Sequence, residues 1–436
     1  MIEPIPVGLT DWTQLQTPCF VFDEPELRAN FSDFDQALKR AWSPLAHVAY
    51  SVKTNPFGWI LDVAREQGCL AEVVSADEFA LALEHGFTPD QVVFNGPVKP
   101  RDWLEYALAN GAYVNLDSVR DVAWTCAWSR EHPGQAHVGV RANIELERFI
   151  PGETITGERG GRFGFCYENG ELALVIGQLR EAGVDVCGLH MHVTTLSRSQ
   201  RAYEVLAQHA VRIARENGLA LRYVDMGGGY YGGGMRNDGA YERYAETMAS
   251  VLRQAADPAT CTLLTEPGGA VVCTPARFVG RVVDAKDTTV DRFVTCELSR
   301  VDIDHEMKKT SYPLHALTRD GTPKDPGSAT GATTLPRQVL CGFTCMESDR
   351  LCVLRDWPEL EVGDVLYIDF AGAYSMSFTP GFFIEHAPAV YRRDADGACT
   401  LLRGNGRPPA PKGTGSAHRR AGEQGSEAPR DEPGLR

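Results

Sequence analysis

Short apolar runs rich in β-branched and aromatic residues alternate along this chain with longer segments whose apolar positions recur at helical spacing. Eight such runs follow one another: His47–Val52, Ala71–Val74, Val92–Phe94, Tyr113–Leu116, His137–Arg141, Val186–His192, Tyr223–Met226 and Leu263–Glu266. The amphipathic stretches between them include Gly58–Gln67, Ala76–Glu84, Arg101–Asn110, Val119–Arg130, Glu171–Ala182, Ser199–Asn217 and Ala240–Ala255. Strands alternating with helices in this way predict a parallel (β/α)8 TIM barrel. A short aromatic strand, Thr17–Phe22, and a helix over Glu24–Leu38 precede it.

From Pro275 the rhythm changes. Arg277–Asp284, Phe293–Leu298, Gln338–Cys341, Leu351–Leu354, Val365–Phe370 and Ala389–Arg392 are β-like, with turn-rich links between them. They predict a C-terminal β-sandwich or β-barrel domain. The expected division is 1–28, whose strand joins the β domain; 29–274, the barrel; 275–403, the β domain; and 404–436, a tail rich in Gly, Pro and Ser that is expected to be disordered. At 436 residues the chain is long enough for two domains.

Composition narrows the partners. A net charge of −15 argues against nucleic acid. No apolar run reaches membrane-spanning length, and the first residues lack the basic and apolar regions of a secretory signal. The twelve cysteines are scattered singly, as reduced thiols of a cytoplasmic protein would be.

Residues usable in chemistry stand at the strand ends, where barrel active sites are assembled. Lys53 ends the first barrel strand. Burial there favours a neutral amine able to form a Schiff base, while a lysine snorkelling out of a strand end is the plain alternative. Gly227-Gly228-Gly229 closes the seventh strand, where three glycines leave backbone amides free to cradle an anion. Glu266 closes the eighth and needs a partner, either a protonated ring nitrogen or a cation such as Arg141. In His190-Met191-His192 both imidazoles share one side of the strand, so zinc is weighed, but stacking of one ring on a planar cofactor suits the position better and no metal is expected. Cys345 lies in a glycine-containing turn beside Glu347 and Asp349, and Tyr374 follows another such turn.

The order of these motifs is specific. Tyr50-Ser51-Val52-Lys53-Thr54-Asn55, Val73-Val74-Ser75, Asn95-Gly96-Pro97-Val98-Lys99, Arg162-Phe163-Gly164, Gly188–His192, Gly227–Gly229, Glu266-Pro267-Gly268, Cys345 to Asp349 and Gly372-Ala373-Tyr374 resemble the fold-type III pyridoxal-phosphate decarboxylases, the family of diaminopimelate, ornithine and arginine decarboxylases. The resemblance implies that Lys53 binds pyridoxal phosphate covalently, that His192 stacks on its ring and that Glu266 pairs with the ring nitrogen. It places Glu72 and Arg141 near the cofactor, and Gly227, Gly228, Gly229, Gly268, Gly269, Thr195 and Tyr374 around its phosphate. It further implies that Cys345 acts as an acid in the neighbouring subunit's site, making the functional unit a homodimer with shared sites.

The chain departs from the family pattern in four places. Glu266-Pro267-Gly268-Gly269 lacks the family's terminal arginine, and His192-Val193-Thr194-Thr195 lacks a glycine. Met346 replaces the acid that follows the cysteine, with Glu347 one place later. Lys308 stands where the resemblance puts an arginine ahead of Tyr312. Lys308, Tyr312, Met346, Glu347 and Tyr374 are the expected substrate-binding positions. The expected function is decarboxylation of an amino acid or an amino-acid-derived intermediate, with diaminopimelate the best named substrate. A racemase or epimerase on the same fold and a non-catalytic cofactor-binding protein are the alternatives.

Overall fold

Strand β1 (Cys19–Asp23) leads directly into helix α1 (Glu24–Ala41). Asp23 caps that helix by accepting from the Glu26 amide, and Pro25 fits its first turn. Then come β2 (Ala46–Ser51), β3 (Leu70–Val73), β4 (Val92–Phe94), β5 (Tyr113–Leu116), β6 (His137–Asn143), β7 (Phe165–Cys166), β8 (Asp185–His190), β9 (Tyr223–Asp225) and β10 (Thr262–Thr265). Pairing runs β5-β4-β3-β2-β10-β9-β8-β6, and β5 also pairs with β6, so eight parallel strands close into a barrel; β7 is an appendix on β6. The computed structural model describes residues 12–193, 196–233, 239–304, 306–328, 331–378 and 387–406.

The helices between barrel strands are α2 (Gly58–Glu66), α3 (Ala76–Glu84), α4 (Arg101–Ala109), α5 (Val119–Glu131), α6 (Glu171–Glu181), α7 (Gln200–Glu216) and α8 (Ala240–Leu252), followed by the short α9 (Gly269–Val272). Three of them start alike: Ser75, Ser118 and Ser199 each accept from a backbone amide three residues on. The serine hydroxyl satisfies a donor that the helix itself cannot, which fixes where each strand-end loop stops.

The barrel interior is layered. One buried cluster holds Ala49, Leu70, Val93, Tyr223 and Leu264, with Tyr113 packed against it. Two residues further along the same strands stand Ser51, Glu72, Asn95, Asp225, Glu266 and Asn115, all buried. Side chains in a strand repeat with period two, so the step from i to i+2 carries each strand from the apolar floor to a polar layer above it.

Space for the floor depends on Gly188. A Cβ built there would lie 2.1 Å from the Tyr223 ring. That ring cannot swing aside, because its hydroxyl donates to Asn115 Oδ1 at 2.9 Å.

The second sheet contains β11 (Ala276–Asp287), β12 (Arg292–Cys296), β13 (Leu314–Leu317), β15 (Gln338–Cys341), β16 (Arg350–Leu354), β18 (Val365–Ile368), β19 (Ala389–Arg393) and β20 (Cys399–Arg403); β14 (Thr334–Leu335) and β17 (Trp357–Pro358) form a separate pair. Its order is β16-β15-β12-β11-β1-β19-β20, with β18 on β11 and β13 on β18. Phe20 of β1 faces Phe278 in the antiparallel pairing and Val390 in the parallel one. The first described strand is therefore sewn between segments more than 250 residues away. The main buried cluster includes Phe22, Tyr50, Phe278 and Ile368, so it runs through both sheets, and residues up to Asn405 form one compact unit.

Strand boundaries differ from the sequence expectation by at most three residues, and five strands were not foreseen. Three of these, β7, β14 and β17, are only two residues long. The other two, Leu314–Leu317 and Cys399–Arg403, follow proline or a polar turn and are too short to show a period. The expected disordered tail lies outside the described residues from 407 onward. Among the described residues no helix is long and apolar enough to cross a membrane.

Gly188→Ala is expected to destabilise the fold by about 1–3 kcal/mol, the usual cost of overpacking a filled core. Urea denaturation of the two proteins checks this; an unchanged midpoint would show that Tyr223 can yield.

Candidate active site

Lys53 sits in a single 3-10 turn, Val52–Thr54, immediately after β2. The second sheet's loop holds that turn: the Tyr374 amide donates to Thr54 O at 2.8 Å, and Asn55 Nδ2 donates to Gly372 O at 2.9 Å. Tyr50 reaches back to Asn55 O at 2.8 Å. The lysine Nζ donates to Glu72 Oε2 at 2.6 Å and to Ser51 Oγ at 2.8 Å. Burial works toward a neutral amine, but the carboxylates of Glu72 and Glu266 outweigh it and raise Lys53 above the ordinary lysine range. This corrects the expectation of a depressed lysine pKa: without the cofactor, the group is an ammonium paired with Glu72. Its side chain remains 37% exposed toward a cavity of about 450 Å³ lined by Lys53, Ser75, Glu78, Tyr374 and Phe378 among others.

Asn95 bridges two acids. Its Nδ2 donates to Glu72 Oε1 at 3.1 Å and also to Glu266 Oε1. Asn115 Nδ2 in turn donates to Asn95 Oδ1 at 2.9 Å and to Asp225 Oδ2 at 3.2 Å. Glu266 faces His190 Nε2 at 3.4 Å, not Arg141, whose Nη1 pairs with Asp117 at 2.9 Å. Burial would raise the Glu266 carboxyl, but His190 and Lys53 outweigh burial and hold it well below the usual carboxylate range. Asp225 moves the other way: burial first, then the charge of Glu266, push its carboxyl well up.

The ring of His192 lies parallel to that of His190, at an interplanar angle of 8°. Its Nδ1 accepts from the Gly228 amide at 3.1 Å. Burial and then the Arg141 guanidinium push His192 down to about 3, so its ring is neutral. Arg141 stands behind it, donating to His192 O at 3.0 Å. Gly227, at φ +67°, turns the chain beside the histidine, and a Cβ on Gly228 would meet Glu266 O at 2.5 Å. Gly268 precedes α9, and Gly269 opens it with room to spare: an added Cβ meets only Ala373, at 3.8 Å. Thr195 lies outside the described residues.

The remaining expected residues lie elsewhere in the chain. Cys345, Met346 and Glu347 line a cavity of about 400 Å³ in which Lys53 has no part. Cys345 is exposed, and its turn is tied down by Asp349, which accepts from Thr344 Oγ1 at 2.6 Å and Ser299 Oγ at 2.9 Å. Lys308 is exposed and paired with Glu306 at 2.8 Å. The Tyr312 hydroxyl donates to Asp304 at 3.0 Å. Lys53, Glu72, Asn95, Glu266, His192, Tyr374 and the glycine triplet thus gather at the barrel mouth, while the Cys345 and Lys308 groups do not. Ser51 stands in the Tyr50–Asn55 motif without an assigned role, and Asn115 and Asp225 were given none; the signal that could have found all three is their place two residues past Ala49, Tyr113 and Tyr223.

A planar, cationic, phosphorylated aldehyde suits this donor set. The amine is in place to bond the aldehyde, the buried anionic Glu266 to meet a ring N–H, and the His192 face to cover the ring. The turn at Gly227–Gly229 offers backbone where an anion can approach.

The model of the pyridoxal-dependent decarboxylase family, pyridoxal binding domain, matches residues 25–273, from α1 to just past α9. A probable chloroplastic diaminopimelate decarboxylase of Oryza sativa is 26% identical over 394 residues, covering 89% of this chain and 77% of its own. The L-glutamyl-[BtrI acyl-carrier protein] decarboxylase of Niallia circulans is 23% identical over 415 residues, covering 90% and 92%. In fold, the diaminopimelate decarboxylase of Methanocaldococcus jannaschii bound to L-lysine superposes with a TM-score of 0.76 at 23% identity, over 89% of each chain. The chain belongs to the pyridoxal-dependent decarboxylases, and pyridoxal phosphate is its cofactor.

Proposed function

We propose that the protein removes the α-carboxylate of diaminopimelate or of a closely related amino acid, in a homodimer whose sites are completed across the subunit interface. The observation that carries this reading is the array of Lys53, Glu72, Asn95 and Glu266 at one barrel mouth. When bound, pyridoxal phosphate supplies the electron sink for the pair left behind as carbon dioxide departs. Lys53, His192, Glu266, Tyr374 and the backbone of the Gly227–Gly229 turn would hold it. The expectation of three free amides is corrected: the Gly227 amide donates to Asp225 Oδ1 at 2.9 Å and the Gly228 amide to His192 Nδ1 at 3.1 Å.

The residues divide the work by charge. Glu72 Oε2, 2.6 Å from Lys53 Nζ, takes the ammonium proton when the amine is needed as a nucleophile and returns it afterwards. Glu266, ionised in its buried setting, accepts from a protonated ring nitrogen. A neutral His192 adds no charge against that ring. Cys345 is exposed on its own chain and lines a different cavity from Lys53, so its thiol can serve only if a second copy brings it to the site. There it would donate the proton that replaces the lost carboxylate. All twelve cysteines are free thiols, which suits the reducing cytoplasm.

A second reading has its own support. Met346 stands where an acid would read a substrate's distal ammonium, and one relative of nearly equal length acts on a glutamyl group borne by an acyl-carrier protein. A carrier-tethered glutamyl group has no distal ammonium to recognise.

Carbon dioxide release separates the two: turnover of meso-diaminopimelate with saturable kinetics supports the first, and turnover of the glutamyl thioester alone supports the second. Release from neither, by the cofactor-loaded protein, would overturn both. Lys53→Ala and Cys345→Ala should each abolish or cripple turnover, yet recover activity when co-expressed, because one mixed site is then intact; no recovery would contradict the shared site.

His192 gives a pH signature. Its imidazole binds a proton at about 3 in the folded chain and near 6.5 when unfolded. In that window the unfolded state binds more protons, so stability of the cofactor-free protein falls as pH is lowered below 6.5. His192→Phe should flatten this part of the stability curve, and parallel curves for the two proteins would show that the ring is not held neutral.

A further inference from the structure

The buried polar layer of the barrel holds a carboxylate, Asp225, that no cation among the described residues balances. Glu72 is neutralised by Lys53 Nζ at 2.6 Å. Glu266 has His190 Nε2 at 3.4 Å and, in the functional reading above, the ring nitrogen. Arg141 is committed to Asp117 at 2.9 Å. Asp225 is fully buried and is paired with no cation among the described residues. Its oxygens accept only from neutral groups, the Gly227 amide at 2.9 Å and Asn115 Nδ2 at 3.2 Å. A carboxylate oxygen of Asp225, one of Glu266 and a ring nitrogen of His190 all lie within 4.8 Å of one another. Two buried carboxylates at that separation do not both ionise.

We infer that Asp225 carries a proton and donates it in a hydrogen bond to Glu266, so that Glu266 stays the ionised partner and Asp225 acts as its positioning residue. Everything around the pair fits this division. Glu266 also accepts from Asn95 Nδ2 and faces His190, both of which favour its charged form. Asn115, whose Oδ1 is occupied by the Tyr223 hydroxyl at 2.9 Å, can offer Asp225 only its amide hydrogens. The direction of the two carboxyls agrees, with Asp225 raised chiefly by burial and Glu266 lowered by His190 and Lys53 despite burial.

The consequence rests on the functional reading. A donor to Glu266 makes that carboxylate a weaker base, so a proton between it and the ring nitrogen stays on the nitrogen. Asp225 touches neither substrate nor the reacting atoms and acts through Glu266 alone. Nothing is consumed; the proton is held, not passed on.

The test reads the proton directly. A protonated carboxylic acid has a carbonyl stretch above the amide band in infrared spectra of the cofactor-loaded protein in D2O at neutral pH. Wild type is expected to show it, to shift it on 13C labelling of aspartate side-chain carboxyls, and to lose it in Asp225→Asn. Asp225→Ser gives the same reading if the amide is not tolerated. Glu72→Gln should leave the band in place. The inference is overturned if the band is absent from wild type, shifts instead on 13C labelling of glutamate, or survives in Asp225→Asn. The band is read whether or not any amino acid releases carbon dioxide, so failure of the inference and failure of the proposed function are told apart. For the positioning role itself, Asp225→Asn, which keeps a donor, should retain the wild-type pH dependence of the bound-cofactor absorbance. Asp225→Ser should shift the deprotonation of the cofactor to lower pH, and identical titrations in all three proteins would remove that role.

Discussion

Keeping negative charge inside a barrel is the constraint on which this molecule is built. Glu72, Asp225 and Glu266 are all nearly inaccessible to water, where an uncompensated carboxylate is costly. The chain compensates with one ammonium, one facing imidazole, two asparagines that donate to the acids and one shared proton. Removing any one of these leaves a buried charge or an unmet acceptor. The same network sets the chemistry. It keeps the lysine close to an acid that can take its proton, and, in the proposed function, it keeps a carboxylate ionised where the ring nitrogen would need one.

Rigid support makes that network possible. The floor of Tyr223, Leu70, Val93 and Leu264 excludes water from below, and Gly188 makes room for the Tyr223 ring that anchors Asn115. From above, the second sheet's loop grips the Lys53 turn through Thr54 O and Asn55. β1 is held between β11 and β19. The second sheet thereby fixes the height of the lysine over the barrel as well as carrying the Cys345 turn.

Much of this was legible in the chain because barrel strands are apolar, short and bounded by turns. Lys53, Glu266, His192 and the glycine triplet stand out since each is an unusual residue at the end of such a run. Asn115 and Asp225 do not, because an amide or acid near a strand end is ordinary, and their importance arises only when eight strands bring six polar side chains to one level. The protonation of Lys53 was misjudged for a related reason: burial could be read from sequence, but the 2.6 Å contact with Glu72 joins neighbouring strands. The Cys345 group shows a third kind of limit. Its motif is plain, but within one chain it lies apart from Lys53, and the sequence of a monomer does not state what a second copy brings.

The measurement that tests this account most directly is the absorbance of the protein with added pyridoxal phosphate, before and after borohydride, followed by peptide mapping. The account predicts a band typical of a protonated Schiff base, reduced onto Lys53 and absent in Lys53→Ala. A cofactor reduced onto another lysine, or no band at saturating cofactor, would contradict it.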